Sequence, residues 1–380
     1  MEFEWKQFQK ELAEQKVYDA WQYVNSLQEM LTYMDMSCVL VEKVYARRKE
    51  QLHSKEQEIF CEAAKNGSAE ITEDALHCTD LNIAGITIDD RLFLQKTTME
   101  FFHYARTSID ILFQIINAAL LGDQSLEVDD KYLLKKVNDT LEKNDNFKNL
   151  KSLLDANKKD DTFKYIQDFD NYIKHIKTVL ITVKNSFMIG NQDEFTIRAF
   201  VNGQSSYSEK DAVTIVRDSD CYVHETVVHI LAEVKRQLPN CLDNSQRVHD
   251  VLYKLVVKES NDKTYPDYLS FFIEVQNDLS ELKSEIKVLP LIVKPNGEIQ
   301  SSDFRFDTIF IRKAGTDEFD VIGCAKIKNG FNTNELYRTF TVEPCGREEY
   351  IRYIGSFKQE HPKFHFSSKG MQGSIIVHKD

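Results

Sequence analysis

Residues 91–121 read RLFLQKTTMEFFHYARTSIDILFQIINAALL, and the architecture of the first half turns on that run. Phe101, Phe102, Tyr104, Ile109, Ile111, Leu112, Ile115 and Ile116 leave few solvent positions, so the run predicts a helix enclosed on most sides. Against that apolar background Glu100, His103, Thr107, Asp110, Gln114 and Asn117 fall at steps of three and four and line one face. The stripe contains no lysine, unlike an ordinary solvent face. It predicts a narrow polar seam whose groups pair with a neighbouring helix, because unpaired burial would be costly. Gly122 ends the helix, since glycine enters the left-handed region cheaply.

Working outward, residues 3–65 predict one or two long amphipathic helices ended by Asn66-Gly67-Ser68, and residues 128–158 predict two lysine-rich surface helices. Asp161–Met188 predicts a further strong helix with its own stripe, Asn171, His175, Thr178 and Thr182, flanked by Lys174 and Lys177. Its apolar side is Ile173, Ile176, Leu180 and Val183. Packing the two stripes together would set His175 beside Glu100, His103 or Asp110. A carboxylate there would hold the imidazole in one tautomer and raise its basicity, as a general base needs. The lysines could hold a phosphate.

The texture changes at Gly190-Asn191. The expected organisation is therefore a mainly α helical bundle over 1–190, followed by an α+β domain with antiparallel hairpins over 191–380. Glu194–Val201 and Ser206–Val216 predict strands around Asn202-Gly203, while Cys221–Leu238 and Tyr268–Ile286 predict helices. From Val288 onward the pattern is hairpins, turning at Pro295-Asn296-Gly297 and at Ala314-Gly315-Thr316-Asp317. A short helix near Glu348–Lys358 and a strand at Ser374–His378 follow.

Composition narrows the function classes. The 380 residues suit two domains, and 42% hydrophobic with 29% charged residues excludes a disordered chain. No signal peptide is visible and no apolar run is long enough to span a bilayer, so a cytoplasmic protein without membrane contact is expected. Seven scattered cysteines without a CxxC point to a reducing compartment, with neither disulfide framework nor zinc site. A net charge of −13 argues against a protein that coats nucleic acid, although from Ile286 onward 14 basic residues face 12 acidic ones.

At Phe101-Phe102-His103-Tyr104-Ala105-Arg106-Thr107-Ser108-Ile109-Asp110, followed by Asp170-Asn171-Tyr172-Ile173-Lys174-His175, the chain resembles the HEPN superfamily of helical bundles. Many members are metal-independent endoribonucleases of toxin and phage-defence systems. They dimerise so that two Arg-x4–6-His motifs build one composite cleft. The resemblance, over roughly residues 90–190, implies His175 as the group acting on the ribose 2′-hydroxyl with Asn171 as the motif's polar residue, beside Asp110 and Glu100, which the packing of the two stripes adds as further catalytic groups. It implies Lys174, Lys177, Arg106 and His103 as substrate-binding groups, no cofactor, RNA or a nucleotide as ligand and a homodimer. Asp170 stands where the motif has arginine, and aspartate cannot replace a guanidinium. Either Lys174, Lys177 or Arg106 supplies the charge, or the domain binds without cleaving, as a nucleotide-sensing scaffold beside a partner protein of the same system.

Other signals are weaker. Arg48…His53 has the motif's spacing but reads as a solvated face of the N-terminal arm. His224-Glu225-Thr226-Val227-Val228-His229 is one residue too long for a zinc-protease helix, so both histidines read as ordinary. GxGxxG, GxxxxGK[ST] and GxSxG do not occur.

Overall fold

The computed structural model describes residues 3–15, 17–70, 77–126, 133–184, 194–243, 251–257, 272–293, 299–301, 307–316, 320–328, 338–360 and 371–376. By contact the chain divides into two units. One comprises Met1–Gln15, Tyr23–Leu120 and Ser125–Cys241; the other comprises Lys16–Gln22, Leu121–Gln124 and Leu242–Asp380. Gly190-Asn191, the boundary expected from the change of period, lies outside the described residues, and the division by contact falls after Cys241.

The first unit is mainly helical. The N-terminal arm forms α1 (Trp5–Glu14) and α2 (Tyr18–Asn66), Gly67 follows with φ 79°, and β1 (Leu81–Ile83) then pairs antiparallel with β2 (Ile86–Ile88). α3 (Asp90–Leu120) is the enclosed helix that its composition predicts. Phe101, Phe102, Ala105, Leu112, Ile115 and Ile116 are fully buried. Around it lie α4 (Leu133–Glu142), α5 (Lys148–Lys159), α6 (Asp161–His175) and α7 (Ala212–Gln237), with α4, α6 and α7 packed directly on α3. Gly122 follows α3 with φ 49°, and a Cβ there would run into the Asp243 carbonyl, so two separate constraints select glycine.

α6 is shorter than expected. It ends at His175, and residues 181–184 form a strand, β3, in place of the predicted helix to Met188. The reason lies in Val179–Val183, a run rich in β-branched residues whose burial alternates: Val179 and Ile181 are buried, Leu180 is exposed. β3 pairs antiparallel with β4 (Glu194–Ile197), and β5 (Phe200–Asn202) forms a hairpin with β6 (Ser205–Tyr207). Gly203 turns that hairpin with φ 58°, as the Asn-Gly pair predicts. The expected strand to Val216 breaks after β7 (Lys210–Asp211), because Asp211 caps α7 by accepting from the Thr214 backbone N–H at 2.8 Å.

The second unit is α+β. Its eight-stranded sheet, made from β8 to β15, runs β15 (Met371–Ile376), β8 (Val251–Val257), β10 (Glu285–Val293), β14 (Arg338–Pro344), β13 (Val321–Ile327), β12 (Thr308–Lys313), β9 (Phe272–Val275), with β11 (Ile299–Ser301) beside β10. The pairs β8/β10 and β9/β12 are parallel and the others antiparallel. Ile309 and Ile311 enter a core with Ile273, Val275, Ala325 and Phe340, while Phe310 points to the opposite face and packs on Tyr350 of α8 (Arg347–Glu360). The helix expected over Tyr268–Ile286 is absent among its described residues, where burial of Ile273 and Val275 around exposed Glu274 has period two. The Ala314-Gly315 turn joins β12 and β13 with Gly315 at φ 76°. Pro295-Asn296-Gly297 lies outside the described residues, and the last strand begins three residues earlier than expected.

All seven cysteines are free thiols, and no helix among the described residues is long and apolar enough to cross a membrane. The Arg48…His53 spacing corrects itself here. His53 is exposed, but Arg48 is only 1% exposed and bonds both the Asp90 carboxylate and the Thr79 hydroxyl, tying α2 to the start of α3. Truncating one partner of a buried ion pair strands the other charge away from water. Arg48→Ala is therefore expected to lower stability by about 3–5 kcal/mol, read by chemical denaturation with circular dichroism of the helices. A loss under about 1 kcal/mol would mean that the pair is solvated.

Candidate functional site

The polar seam of α3 does pair with α6, but through a different residue from the one expected. Asp170 is 1% exposed and faces α3. Its Oδ1 lies 3.2 Å from Nδ1 of His103, and its Oδ2 lies 2.6 Å from Nζ of Lys174, one helical turn further along α6. One turn from His103, Arg106 Nη2 lies 2.8 Å from Oδ1 of Asp110. His103, Arg106, Asp110, Asp170 and Lys174 thus form one cluster across the α3–α6 contact.

Local sequence explains why α6 delivers Asp170 inward. Asp160 caps the helix, accepting from the backbone N–H groups of Thr162 at 2.7 Å and Phe163 at 3.3 Å. That start places Phe163, Ile166, Phe169 and Asp170 on the buried side. Phe169 packs on Phe102 with ring centroids 4.4 Å apart, which fixes the rotation of α6 against α3. Lys174, 40% exposed, reaches Asp170 from the rim, so the buried carboxylate is balanced by a cation that keeps access to water.

In its electrostatics the cluster is mixed. Partial desolvation raises the Asp110 carboxyl above the usual range, Asp170 adds to the rise, and Arg106 and Lys174 oppose it. With Nδ1 of His103 donating to Asp170, Nε2 is left as the basic nitrogen on a ring that is 46% exposed. An exposed imidazole oriented by a buried carboxylate is able to move a proton, and the adjacent cations are able to meet an anion.

The remaining expected site residues fall elsewhere. His175 is the last residue of α6, exposed, and makes no hydrogen bond or ion pair among the described residues. It does not lie in the seam, because the helix that was to carry its stripe ends there; Thr178 is exposed in the following loop and Thr182 sits on β3. Lys177 is exposed in the same loop. Glu100 is held by Lys96 at 2.5 Å on the surface of α3. Asn117, at the other end of the stripe, is structural, since its amide both donates to and accepts from the Leu126 backbone at 2.9 Å. Asn171 lies on another face of α6, lining a cavity of about 250 Å³ between the helices.

Two further groupings escaped the sequence, the first because it joins helices far apart in the chain. His224 Nε2 lies 2.7 Å from Oδ1 of Asp35 on α2, with Asp220 close enough for the three to share one ion. Asp80, Asp89 and Asp90 form a second such group. Asp90 there is already committed to Arg48, and no additional observation points to an ion at either place. His224, read as ordinary, is thus an interhelical contact.

Residues 249–367 match the family model described as Domain of unknown function (DUF8310), which covers part of the second unit and none of the cluster. No curated protein and no solved structure matches the chain.

The His224–Asp35 contact has a pH signature. The hydrogen bond to Asp35 raises the imidazole above its ordinary value, against the opposing effect of burial. A group whose pKa is raised by folding contributes stability that is complete below the unfolded value and disappears as pH climbs through the folded one. Thermal midpoints of the wild type and His224→Gln are expected to differ at about pH 5.5 and to converge by about pH 9. A constant difference across that window would assign the contact no charge.

Proposed function

We propose that the helical unit acts on RNA as a metal-independent, HEPN-like endoribonuclease of a defence or toxin system, with His103 rather than His175 as the proton-transfer group. The reading is carried by one observation: a half-exposed His103 ring whose Nδ1 is engaged by the buried Asp170, with Lys174 on the other carboxylate oxygen. In this scheme Nε2 of His103 removes the ribose 2′-hydroxyl proton and the freed oxygen attacks phosphorus. The 5′-oxygen leaves and takes a proton from water, giving a 2′,3′-cyclic phosphate and a 5′-hydroxyl end, and the His103 imidazolium returns its proton to solvent. Lys174 and Arg106 offset charge on the phosphoryl oxygens, and Asp110, its carboxyl raised by desolvation, is the catalytic-group candidate that holds Arg106. The unit works as a homodimer, because the resemblance implies a cleft built from two copies, and it works in the reducing cytoplasm.

A second reading rests on the state of Asp170. The position where the family motif has arginine is filled by a buried acid already bound to His103 and Lys174. That favours a non-catalytic scaffold which binds RNA or a nucleotide beside a partner protein.

Incubating the full chain with tRNA and total RNA in EDTA separates the two. Catalysis predicts cyclic-phosphate ends, a loss of roughly 100- to 10,000-fold in His103→Ala, and little change in His175→Ala. RNA that is retained but never cut, or cutting that survives His103→Ala, would end the nuclease proposal. Light scattering tests the dimer, which a monomer at working concentration would rule out.

A further inference from the structure

The cavity beside Asn171 has a chemistry of its own. It lies within the helical unit, among α3, α4, α5, α6 and α7, and encloses about 250 Å³. Its walls are apolar where they come from Ile109, Leu112, Phe113 and Phe163, a surface suited to a flat, poorly hydrated ring. Asn138, Asn157, Gln167 and Asn171 add amide groups to the same lining. Asn157 uses its carbonyl oxygen to accept from Tyr222 at 3.1 Å and Thr226 at 3.3 Å, which fixes its side chain. Lys135 and Lys158 are exposed at the cavity.

Two of the lining residues are left with unused capacity. Arg106 is 9% exposed, and while one of its nitrogens binds Asp110, Nη1 is buried without a partner among the described residues. Asn138 donates through its amide nitrogen to the Leu134 carbonyl at 3.1 Å, yet its Oδ1 is buried and unpartnered too. An unmet buried donor or acceptor costs about 1–3 kcal/mol. Here one of each lines a single apolar cavity. Both atoms are sealed from solvent, so the two side chains have to shift to present a donor and an acceptor to whatever fills the cavity. A nucleobase edge offers the complementary pair, an acceptor beside an N–H, on a ring that the apolar walls accept. The two lysines then stand ready for an anionic group outside the ring.

We infer that this cavity binds a nucleoside monophosphate, with the base between the apolar walls, its polar edge on Arg106 and Asn138, and its phosphate on Lys135 and Lys158. This site is not the His103–Asp170 cluster, although Arg106 belongs to both. Occupation would compete with the Asp110 carboxylate for the guanidinium and so connects ligand binding to the seam.

The test uses the full chain without RNA, so its result is independent of any nuclease activity. Calorimetric titration and thermal shift are run with the four common nucleoside monophosphates, the matching nucleosides and inorganic phosphate. At least one monophosphate is expected to bind and raise the melting temperature, its nucleoside to bind about tenfold more weakly, and phosphate alone to do neither. Lys135→Ala/Lys158→Ala changes only exposed side chains, so its folding is secure, and it should bring the monophosphate down to the affinity of the nucleoside. Arg106→Gln should weaken both by tenfold or more. If Arg106→Gln fails to fold, Asn138→Leu, which removes the unmet acceptor, serves in its place. No binding by any monophosphate at millimolar concentration would overturn the inference and leave the cavity to water. Binding indifferent to both the lysine pair and the lining variant would overturn it equally, by putting the ligand elsewhere.

Discussion

A helix enclosed on almost every side gives its polar side chains no water to turn to. That constraint on α3 organises the helical unit. Several buried polar groups along it are answered by other parts of the chain, and those answers fix the neighbours: Arg48 of α2 at Asp90, Asp170 of α6 at His103, and the Leu126 backbone at Asn117. Burial of the apolar residues supplies most of the driving force, but it is non-directional. The polar pairs supply register, because a shift of one residue would strand several of them at once.

The same constraint shapes the candidate site. A carboxylate as buried as Asp170 persists because a cation and an imidazole meet both of its oxygens. His103 is thereby oriented while its ring stays half open to solvent. Orientation from below and access from above are what a proton-transfer group requires. The helix contact and the candidate site therefore share one carboxylate, Asp170.

The cavity next to this seam is the reverse case. There the packing of α3 against α4 and α6 is incomplete, and Arg106 and Asn138 keep capacity that no neighbour among the described residues uses. A fully packed core would have closed over these positions with apolar side chains. Retaining a guanidinium beside an apolar hollow is costly, and the Asp110 carboxylate offsets part of that cost.

By itself the sequence determined the class of each half, the enclosure of α3, its polar stripe and the stop at Gly122, because these depend on periodicity and on single-residue conformational preference. It also identified the α3–α6 seam and, among other residues, His103, Arg106, Asp110 and Lys174. It misassigned the partner in that seam. Ile176, Leu180 and Val183 fit a helical period, yet the β-branched Val179–Val183 run folds as an extended segment, which removes His175 from the seam. The helix expected over Tyr268–Ile286 failed in the same way, where Phe272–Val275 joins β12. Only the tertiary structure decided that Asp170 points inward, that Arg48 is buried and that His224 meets Asp35. Each of those facts depends on the rotation of one element against another distant in the chain, and rotation is set by side-chain packing rather than by local pattern.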